Sequence, residues 1–593
     1  MSVPVPGPGS ESASQPPAES ESQTAARAVV VLLLEAGIRQ MVVCPGSRNA
    51  PLLYALAEAP ALETLVRIDE RSAAFTALGL ALASGLPTPV ITTSGTAAGN
   101  LLPAVMEAHH VGAPLVVITA DRPEELRGTG ANQTTDQVDL FGSHVRFAAD
   151  CAAGEDPRPA LQTALDAARG LLRGVPAGPV HLNLAFRDPL VPAVGEPPTP
   201  YAEVHLSNQL SSEQVSRASA PAADREVLDS LEVLPLRRSV VIAGHDAGPL
   251  AEQFARDLGL PLLAEPSSGA RFGPNAIGPY RMALASASGL IDRVIVFGRP
   301  TLSRPVAGLL AATGLRGASA LYLPTPVAWF EPGKRREQIF TGPESLRSLV
   351  EFAGRGEAGW LEQWQIWALA AESAIESAQE GFADSGLTGL DVARAVWKHT
   401  DGQLFLGSSN PIRDVDLVGR PRTESPRVFA NRGLAGIDGS VSTAEGVALG
   451  SGALAEGHMS AGQVTRALLG DLTFLHESGG LLLPRGERVP DLQLVVLNDA
   501  GGGIFSLLEH GALGEQDAYR QTVERFFGTA QDADLAAIAA GYGVRHLLVT
   551  TQAELDEALT APIQGRSLLE VRTERSALRP LHARISEAVP AFS

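Results

Sequence analysis

Short apolar runs that stop at glycine, proline or a polar turn recur along the whole 593-residue chain. They constrain its fold more than any other feature. Examples are Gln40-Met-Val-Val-Cys44, Pro89-Val-Ile-Thr-Thr93, Pro114 to Thr119, and Pro179 to Leu184. The middle of the chain has Ser239 to Gly244, Arg293 to Gly298 and Leu321 to Pro324. The last third has Gln403 to Gly407, Arg466-Ala-Leu-Leu469, Leu492 to Leu497, His546 to Thr550 and Ser567 to Val571. Such runs read as buried strands, and helical patterns separate them, which is the pattern of doubly wound α/β domains with mainly parallel sheets.

The length is too great for one core and suits three domains. The runs divide accordingly into segments 25–192, 222–358 and 388–593. A Pro-rich stretch introduces a linker over 193–221, and a Trp-, Ala- and Glu-rich stretch reads as a helical connector over 359–387. Residues 1–24 are rich in Pro, Ser and Glu, with no basic or apolar region of a signal peptide, and read as a disordered tail. Two cysteines, Cys44 and Cys151, give no disulfide framework and fit a reducing cytoplasm. No apolar run is long enough to span a membrane. A net charge of −20 argues against nucleic acid and anionic membranes as partners. It also means that an anionic substrate must be met by arginines gathered locally.

Several strand ends carry chemistry. Gly470-Asp471-Leu472 and Asn498-Asp499-Ala500-Gly501 each follow a strand-like run. Oxygen side chains at two strand ends suit a hard divalent cation, and the nearby glycines let the backbone approach a diphosphate. Carboxyl ends of strands are where such sheets bind ligands. Ser47 and Arg48 lie in the turn Cys44-Pro-Gly-Ser-Arg48, where a guanidinium fork could hold a carboxylate. An ordinary βα loop accounts for that turn equally well. Glu70 opens a small-residue helix, Ala73 to Gly85. Read alone, it is a favourable N-terminal charge. Thr93-Ser-Gly95 precedes a Gly-rich helix start, and Asp121-Arg122-Pro123 and Asn132-Gln133 follow in polar loops. Ser408-Ser409-Asn-Pro-Ile-Arg413 and Asn431-Arg432-Gly-Leu-Ala-Gly-Ile437-Asp-Gly439 end strands in the last segment. His109 and His110 sit near the end of a helix expected over Thr96 to Val111 and are read as structural.

In this order, the motifs Cys-Pro-Gly-Ser-Arg, Asp-Glu-Arg, Asp-Arg-Pro, Ala-Asn-Gln, Asn-Arg-Gly-x-x-Gly-Ile-Asp-Gly, Gly-Asp-Leu and Gly-Gly-Gly-Ile-Phe-Ser resemble the thiamine-diphosphate-dependent decarboxylase superfamily. The closer likeness is to its menaquinone-pathway carboligases, over about Ala25 to Ser593. The resemblance implies a pyrimidine-binding domain (25–192), a central domain (222–358) and a diphosphate-binding domain (388–593). It implies self-association as a dimer or tetramer with the coenzyme at the subunit interface. It implies thiamine diphosphate with Mg²⁺ (or Mn²⁺) as cofactors, and 2-oxoglutarate and isochorismate as substrates.

The same resemblance implies residue roles. Glu70 would contact the aminopyrimidine, Ile437 would prop the bent coenzyme, and Ser409 would bind its diphosphate. Asp471, Asp499 and the Gly501 carbonyl would hold the metal, with Asn498 as the alternative to Asp499. Ser47, Arg48, Asn132, Gln133, Arg413 and Arg432 would handle substrate carboxylates, with Arg122 and Arg304 as further anion contacts. Ile504, Phe505 and Leu508 would wall the pocket. The sequence departs from the superfamily in having Gly-Asp-Leu for Gly-Asp-Gly, and Asp at 499 where Asn is common. Some relatives carry FAD in the central domain; no dinucleotide fingerprint lies between Ala222 and Ala353, so none is expected here.

Overall fold

A computed structural model describes residues 19–192, 234–331, 333–382, 386–450 and 464–589. The linker expected over 193–221 and most of the expected tail lie outside these residues.

The first sheet contains β1 (Gln40–Val43), β2 (Glu63–Val66), β3 (Thr88–Thr92), β4 (Leu115–Asp121), β5 (Ala148–Cys151) and β6 (Val180–Ala185). Their spatial order is β2-β1-β3-β4-β6-β5, and every pairing is parallel. In the middle unit, β7 (Leu236–Arg237) precedes β8 (Ser239–Ala243), β9 (Leu262–Ala264), β10 (Arg293–Phe297), β11 (Ser319–Leu323), β12 (Gln338–Thr341) and β13 (Arg355–Gly356). Five of these form a parallel sheet in the order β12-β11-β10-β8-β9, and β7 pairs with β13. The third sheet contains β14 (Gln403–Leu406), β15 (Arg427–Phe429), β16 (Thr465–Gly470), β17 (Leu492–Asn498), β18 (Arg545–Val549) and β19 (Arg566–Arg572). Its order is β15-β14-β16-β17-β19-β18, again all parallel. Counted from each domain's own start, the first and third sheets have the same strand order.

Three doubly wound α/β units are therefore present, as the sequence pattern predicts. Seven strands were not anticipated from it. β2, β5, β9, β12 and β15 are edge strands of the three large sheets, and β7 and β13 are two-residue strands that pair with each other. An edge strand is covered on fewer sides, so it lacks the continuous apolar run that marks an inner strand. The helix expected over Thr96 to Val111 is two helices, Thr96–Gly99 and Leu102–Val111. Pro103 has no N–H to give the preceding turn, so it starts the second helix instead of continuing the first. The small-residue helix begins at Glu70, not Ala73, and ends at Ser84 before left-handed Gly85. The connector helix, Trp360–Glu380, buries Trp360, Trp364 and Trp367 on the middle core.

The first and third domains meet through equivalent helices, Glu70–Ser84 and Ser440–Gly450. Both are almost wholly buried, and each is made largely of Ala, Gly, Ser and Thr. A Cβ on Gly79 would lie 2.2 Å from the Thr443 carbonyl oxygen, and one on Gly446 would lie 2.1 Å from that of Thr76. The two backbones are thus in direct contact, and only glycine fits at the crossing. Arg67 (2% exposed) and Glu445 (0%) form a buried ion pair beside it at 3.4 Å, and Arg566 reaches the same carboxylate at 2.9 Å.

Replacing Gly446 with Val should therefore force the two helices apart and destabilise the protein by about 3 kcal/mol. The control Gly308→Ala lies in the Arg304–Leu315 helix with open space around it, and should be neutral or slightly stabilising. Thermal unfolding of the two variants checks this, and equal midpoints would refute the crossing argument.

Candidate active site

The loops at the carboxyl ends of the strands gather the polar groups into clusters, two in the first domain and two in the third.

In the first domain, Arg122 follows β4 and its guanidinium donates to the Ser94 hydroxyl and to the Gln133 carbonyl (2.6 Å). Gln133 has a left-handed backbone (φ 55°), and its side-chain amide donates to the Ser94 carbonyl at 2.9 Å. Arg48, in the turn after β1, donates to the Phe186 carbonyl at 2.9 Å. Burial, and then the neighbouring Arg48, hold the Arg122 guanidinium below its ordinary pKa. Two cations are therefore held close together with spare donors, which is a setting for an anion. Ser47 and Asn132 are exposed at its rim. Beneath it lies Gln137, fully buried, which accepts from the Gly95 N–H (2.8 Å) and donates to Asn183 (2.9 Å). The sequence reading missed Gln137, because a lone Gln in a polar loop carries no signal.

Glu70 is the first residue of its helix, and Asp69 caps that helix by accepting from Ser72 N–H at 3.2 Å. The Glu70 carboxylate is half-buried and accepts from Asn100 at 3.4 Å.

In the third domain, Arg432 is nearly inaccessible. It donates to the Thr301 hydroxyl (2.8 and 3.1 Å), the Thr301 carbonyl (3.2 Å) and the Ser408 hydroxyl (3.4 Å). Thr301 is in turn fixed from the middle domain, where buried Glu265 accepts from the N–H groups of Thr301 and Leu302. Arg413 donates to the Ser409 carbonyl at 2.7 Å. Ser409 sits at φ 95°, a conformation that costs a non-glycine residue about 1–3 kcal/mol, at the start of the Asn410–Val418 helix. Burial lowers the pKa of both arginines. The loop carrying Arg432 and half-buried Ile437 is held across the domain boundary by Glu107, whose two oxygens accept from Gly433 N–H (2.6 Å) and Leu434 N–H (2.7 Å).

The metal candidates converge. Asp471 begins the helix after β16 and is 2% exposed. Its oxygens accept from Leu472 N–H (2.6 Å), Gly501 N–H (2.8 Å) and Gln531 (3.3 Å). Burial, and then the charge of Asp471, push Asp499 up to about 7, with Arg575 opposing. Two carboxylates crowded in this way, beside the Gly501 backbone, form a hard-oxygen set that a divalent cation would relieve. Asn498 is engaged elsewhere: its amide donates to Glu570 at 2.8 Å and its oxygen accepts from Ala500 N–H at 3.1 Å. Gly503 leaves the Asp499 carboxylate its place, since a Cβ there would lie 2.0 Å from it and force it to shift. Gln531 and Arg575 were not anticipated.

A cavity of about 1380 Å³ opens onto Asn498, Asp499, Gly502, Phe505, Gln531 and Arg575. Its lining comes entirely from positions 386 to 580. Ile504, Phe505 and Leu508 are half-buried on or beside the short helix Gly503–Leu507. Arg304 stands apart from the other arginines, 72% exposed and paired with Glu509 at 2.8 Å. His109 and His110 lie at a helix end beside His144 and Arg146, with burial lowering the pKa of both.

Residues 23–140 match the thiamine pyrophosphate enzyme N-terminal TPP-binding domain, and 418–571 match the C-terminal TPP-binding domain of those enzymes. The chain is 59% identical over 568 residues to the 2-succinyl-5-enolpyruvyl-6-hydroxy-3-cyclohexene-1-carboxylate synthase of Renibacterium salmoninarum, covering 96% of this chain and 97% of that one. It is 56% identical over 578 residues to the like-named protein of Arthrobacter sp. (95% and 91%). It is 44% identical over 591 residues to that of Kineococcus radiotolerans (95% and 98%).

Asn498 and Asp499 differ in what already engages them, which gives a test of the two metal-ligand alternatives. Asp499→Ala should weaken Mg²⁺-dependent thiamine diphosphate binding by about 10- to 100-fold. Asn498→Ala should leave that affinity within a few-fold and cost about 1 kcal/mol of stability through the lost Glu570 bond. Calorimetric titration of both variants checks the assignment, and the reverse pattern would make Asn498 the ligand.

Proposed function

This chain belongs to the 2-succinyl-5-enolpyruvyl-6-hydroxy-3-cyclohexene-1-carboxylate synthase family of thiamine pyrophosphate enzymes, and from that premise we propose how its site works. The reaction removes CO₂ from 2-oxoglutarate and joins the remaining four-carbon unit to the ring of isochorismate. The bound coenzyme supplies the electron sink that accepts the pair left behind by CO₂.

The protein's part is binding, orientation and proton control. Asp471, Asp499 and the Gly501 carbonyl hold Mg²⁺ (or Mn²⁺) on the coenzyme diphosphate, and Ser409 adds a diphosphate contact. Glu70 is placed to hydrogen-bond the aminopyrimidine and so move the proton that activates the coenzyme. Ile437 supports the coenzyme between the two rings, and Ile504, Phe505 and Leu508 exclude water from the reacting carbon. Both substrates carry several carboxylates. Arg48, Arg122, Asn132 and Gln133 on one side, with Arg413 and Arg432 on the other, are the groups we assign to them, together with Ser47 and the outlying Arg304. The observations that carry this reading are the buried carboxylate pair of the third domain and the partly desolvated arginine clusters at strand ends of the first and third domains, in an otherwise acidic chain.

Within one chain these parts do not form one pocket. The cavity at Asp499 is lined only by third-domain and adjoining residues, while Glu70 and the Arg122 cluster belong to the first domain. We assign the complete site to a dimer, or a dimer of dimers, in which the first domain of one chain faces the third domain of its partner. The two free, buried thiols fit a reducing cytoplasm.

Two experiments test this. Arg432→Ala should lower kcat/KM for the carboxylate substrates by about 10- to 100-fold, since a charge-assisted bond contributes about 1.5–3 kcal/mol. An unchanged value would remove Arg432 from the site. Glu70→Gln and Asp471→Asn should each abolish carboligation alone. Refolded together in equal amounts, they should recover about a quarter of the wild-type rate, because half the dimers are mixed and each mixed dimer has one intact site. No recovery, with mixed dimers demonstrated, would sink the shared-site assignment.

A further inference from the structure

One fully buried carboxylate outside the site touches the segments that carry three of the assigned coenzyme contacts. Glu477 directly follows the helix Asp471–His476 and is 0% exposed. Its Oε2 accepts from Val441 N–H at 2.7 Å and Ser442 N–H at 2.9 Å. Its Oε1 accepts from the Ser442 hydroxyl, and from the Ser72 hydroxyl at 3.2 Å. Ser72 lies two residues beyond Glu70 in the first domain. Val441 and Ser442 begin the helix entered from the Ile437 loop, and the Ser440 hydroxyl donates back to the Ile437 carbonyl at 3.3 Å. A second link runs beside the first, from the Arg71 guanidinium to the His476 carbonyl at 3.4 Å.

The space is closed. A Cβ on Gly480 would lie 2.5 Å from the Glu477 carboxylate. Four donors from two domains aimed at one side chain are more than a helix cap needs. The cost of burying the group, which pushes its pKa up to about 7, is offset only while all of them stay in place.

We propose that Glu477 is a positioning residue, tying the Asp471 and Ile437 segments of one site to the Glu70 helix that serves the other site of the proposed dimer. The proposal rests on the assignment of those three residues to thiamine diphosphate. The Ser72 arm is specific to Glu70. It fixes the first turn of the Glu70 helix against the domain that carries Asp471, and so fixes the direction of the Glu70 carboxylate.

The test uses the full-length protein with thiamine diphosphate and Mg²⁺, and three readouts: coenzyme affinity by calorimetry, proton–deuterium exchange at the coenzyme C2 by NMR, and thermal unfolding. Ser72→Ala should slow C2 exchange at least about 5-fold, leave coenzyme affinity within about 2-fold, and lower the unfolding midpoint by roughly a few degrees. Ser72→Thr, which keeps the hydroxyl, should restore the exchange rate. Glu477→Ala, where folded, should lower affinity and exchange together, each by at least about 10-fold. An exchange rate in Ser72→Ala within 2-fold of wild type overturns the proposal, whatever becomes of Glu477→Ala. If wild-type protein itself binds no coenzyme, the proposed function fails first, and the positioning role falls with it.

Discussion

Everything in this molecule that bears on chemistry depends on two helices crossing at glycine. Gly79 and Gly446 bring the first and third domains to backbone contact, and the small residues around them leave no room for a side chain between. Dispersion packing of this kind is close-range and intolerant of added volume. It puts the N-terminal ends of the two helices into fixed register, with Glu70 opening one and the loop of Arg432 and Ile437 leading into the other. Buried carboxylates then secure what the glycines bring together. Glu107 reaches from the first domain to the Gly433–Leu434 backbone, and Glu477 from the third to Ser72. Each places an anion where backbone or hydroxyl hydrogens would otherwise be unsatisfied.

Electrostatics explains the rest of the design. A chain of net charge −20 repels multiply charged anions at a distance, so attraction has to be local. The arginines are accordingly sunk at strand ends where water screens them poorly, and each is held by carbonyls or hydroxyls rather than neutralised outright by a bidentate carboxylate. Arg432 on Thr301 and Ser408, and Arg122 on Ser94 and Gln133, keep their positive charge available. Exposed Arg304 is the contrast: Glu509 pairs with it directly.

The parts of this arrangement that could be read from the sequence are those carried by continuous patterns. Inner strands such as β4 and β17 are buried throughout their cores and announce themselves as apolar runs. Strand ends follow from them, and so do Asp471, Asp499, Arg122 and Arg413. Edge strands β2 and β15 did not show, because half-covered backbone tolerates Glu, Thr and Arg. Gln137, Gln531, Glu477 and Glu107 were illegible for a different reason. Each acts through partners from about 30 to more than 400 positions away, and no local spacing encodes a bond such as Ser72 to Glu477. The break at Pro103 is encoded locally, since proline has no N–H to continue the first helix.

The repeated strand order also bears on the proposed two-chain site. The first and third domains share one topology, and their equivalent helices meet reciprocally, Gly79 against the Thr443 carbonyl and Gly446 against that of Thr76. Within one chain, the Glu70 helix meets the far end of the Asp471 helix, at His476 and Glu477, and not Asp471 itself. On the proposed dimer reading, each chain contributes two unlike half-sites. A second copy related by a true two-fold axis can satisfy both at once, completing two sites with one isologous contact. A fixed relation between the half-sites within each chain is what makes that geometry close, and this is why the buried links between domains matter as much as the residues that touch substrate.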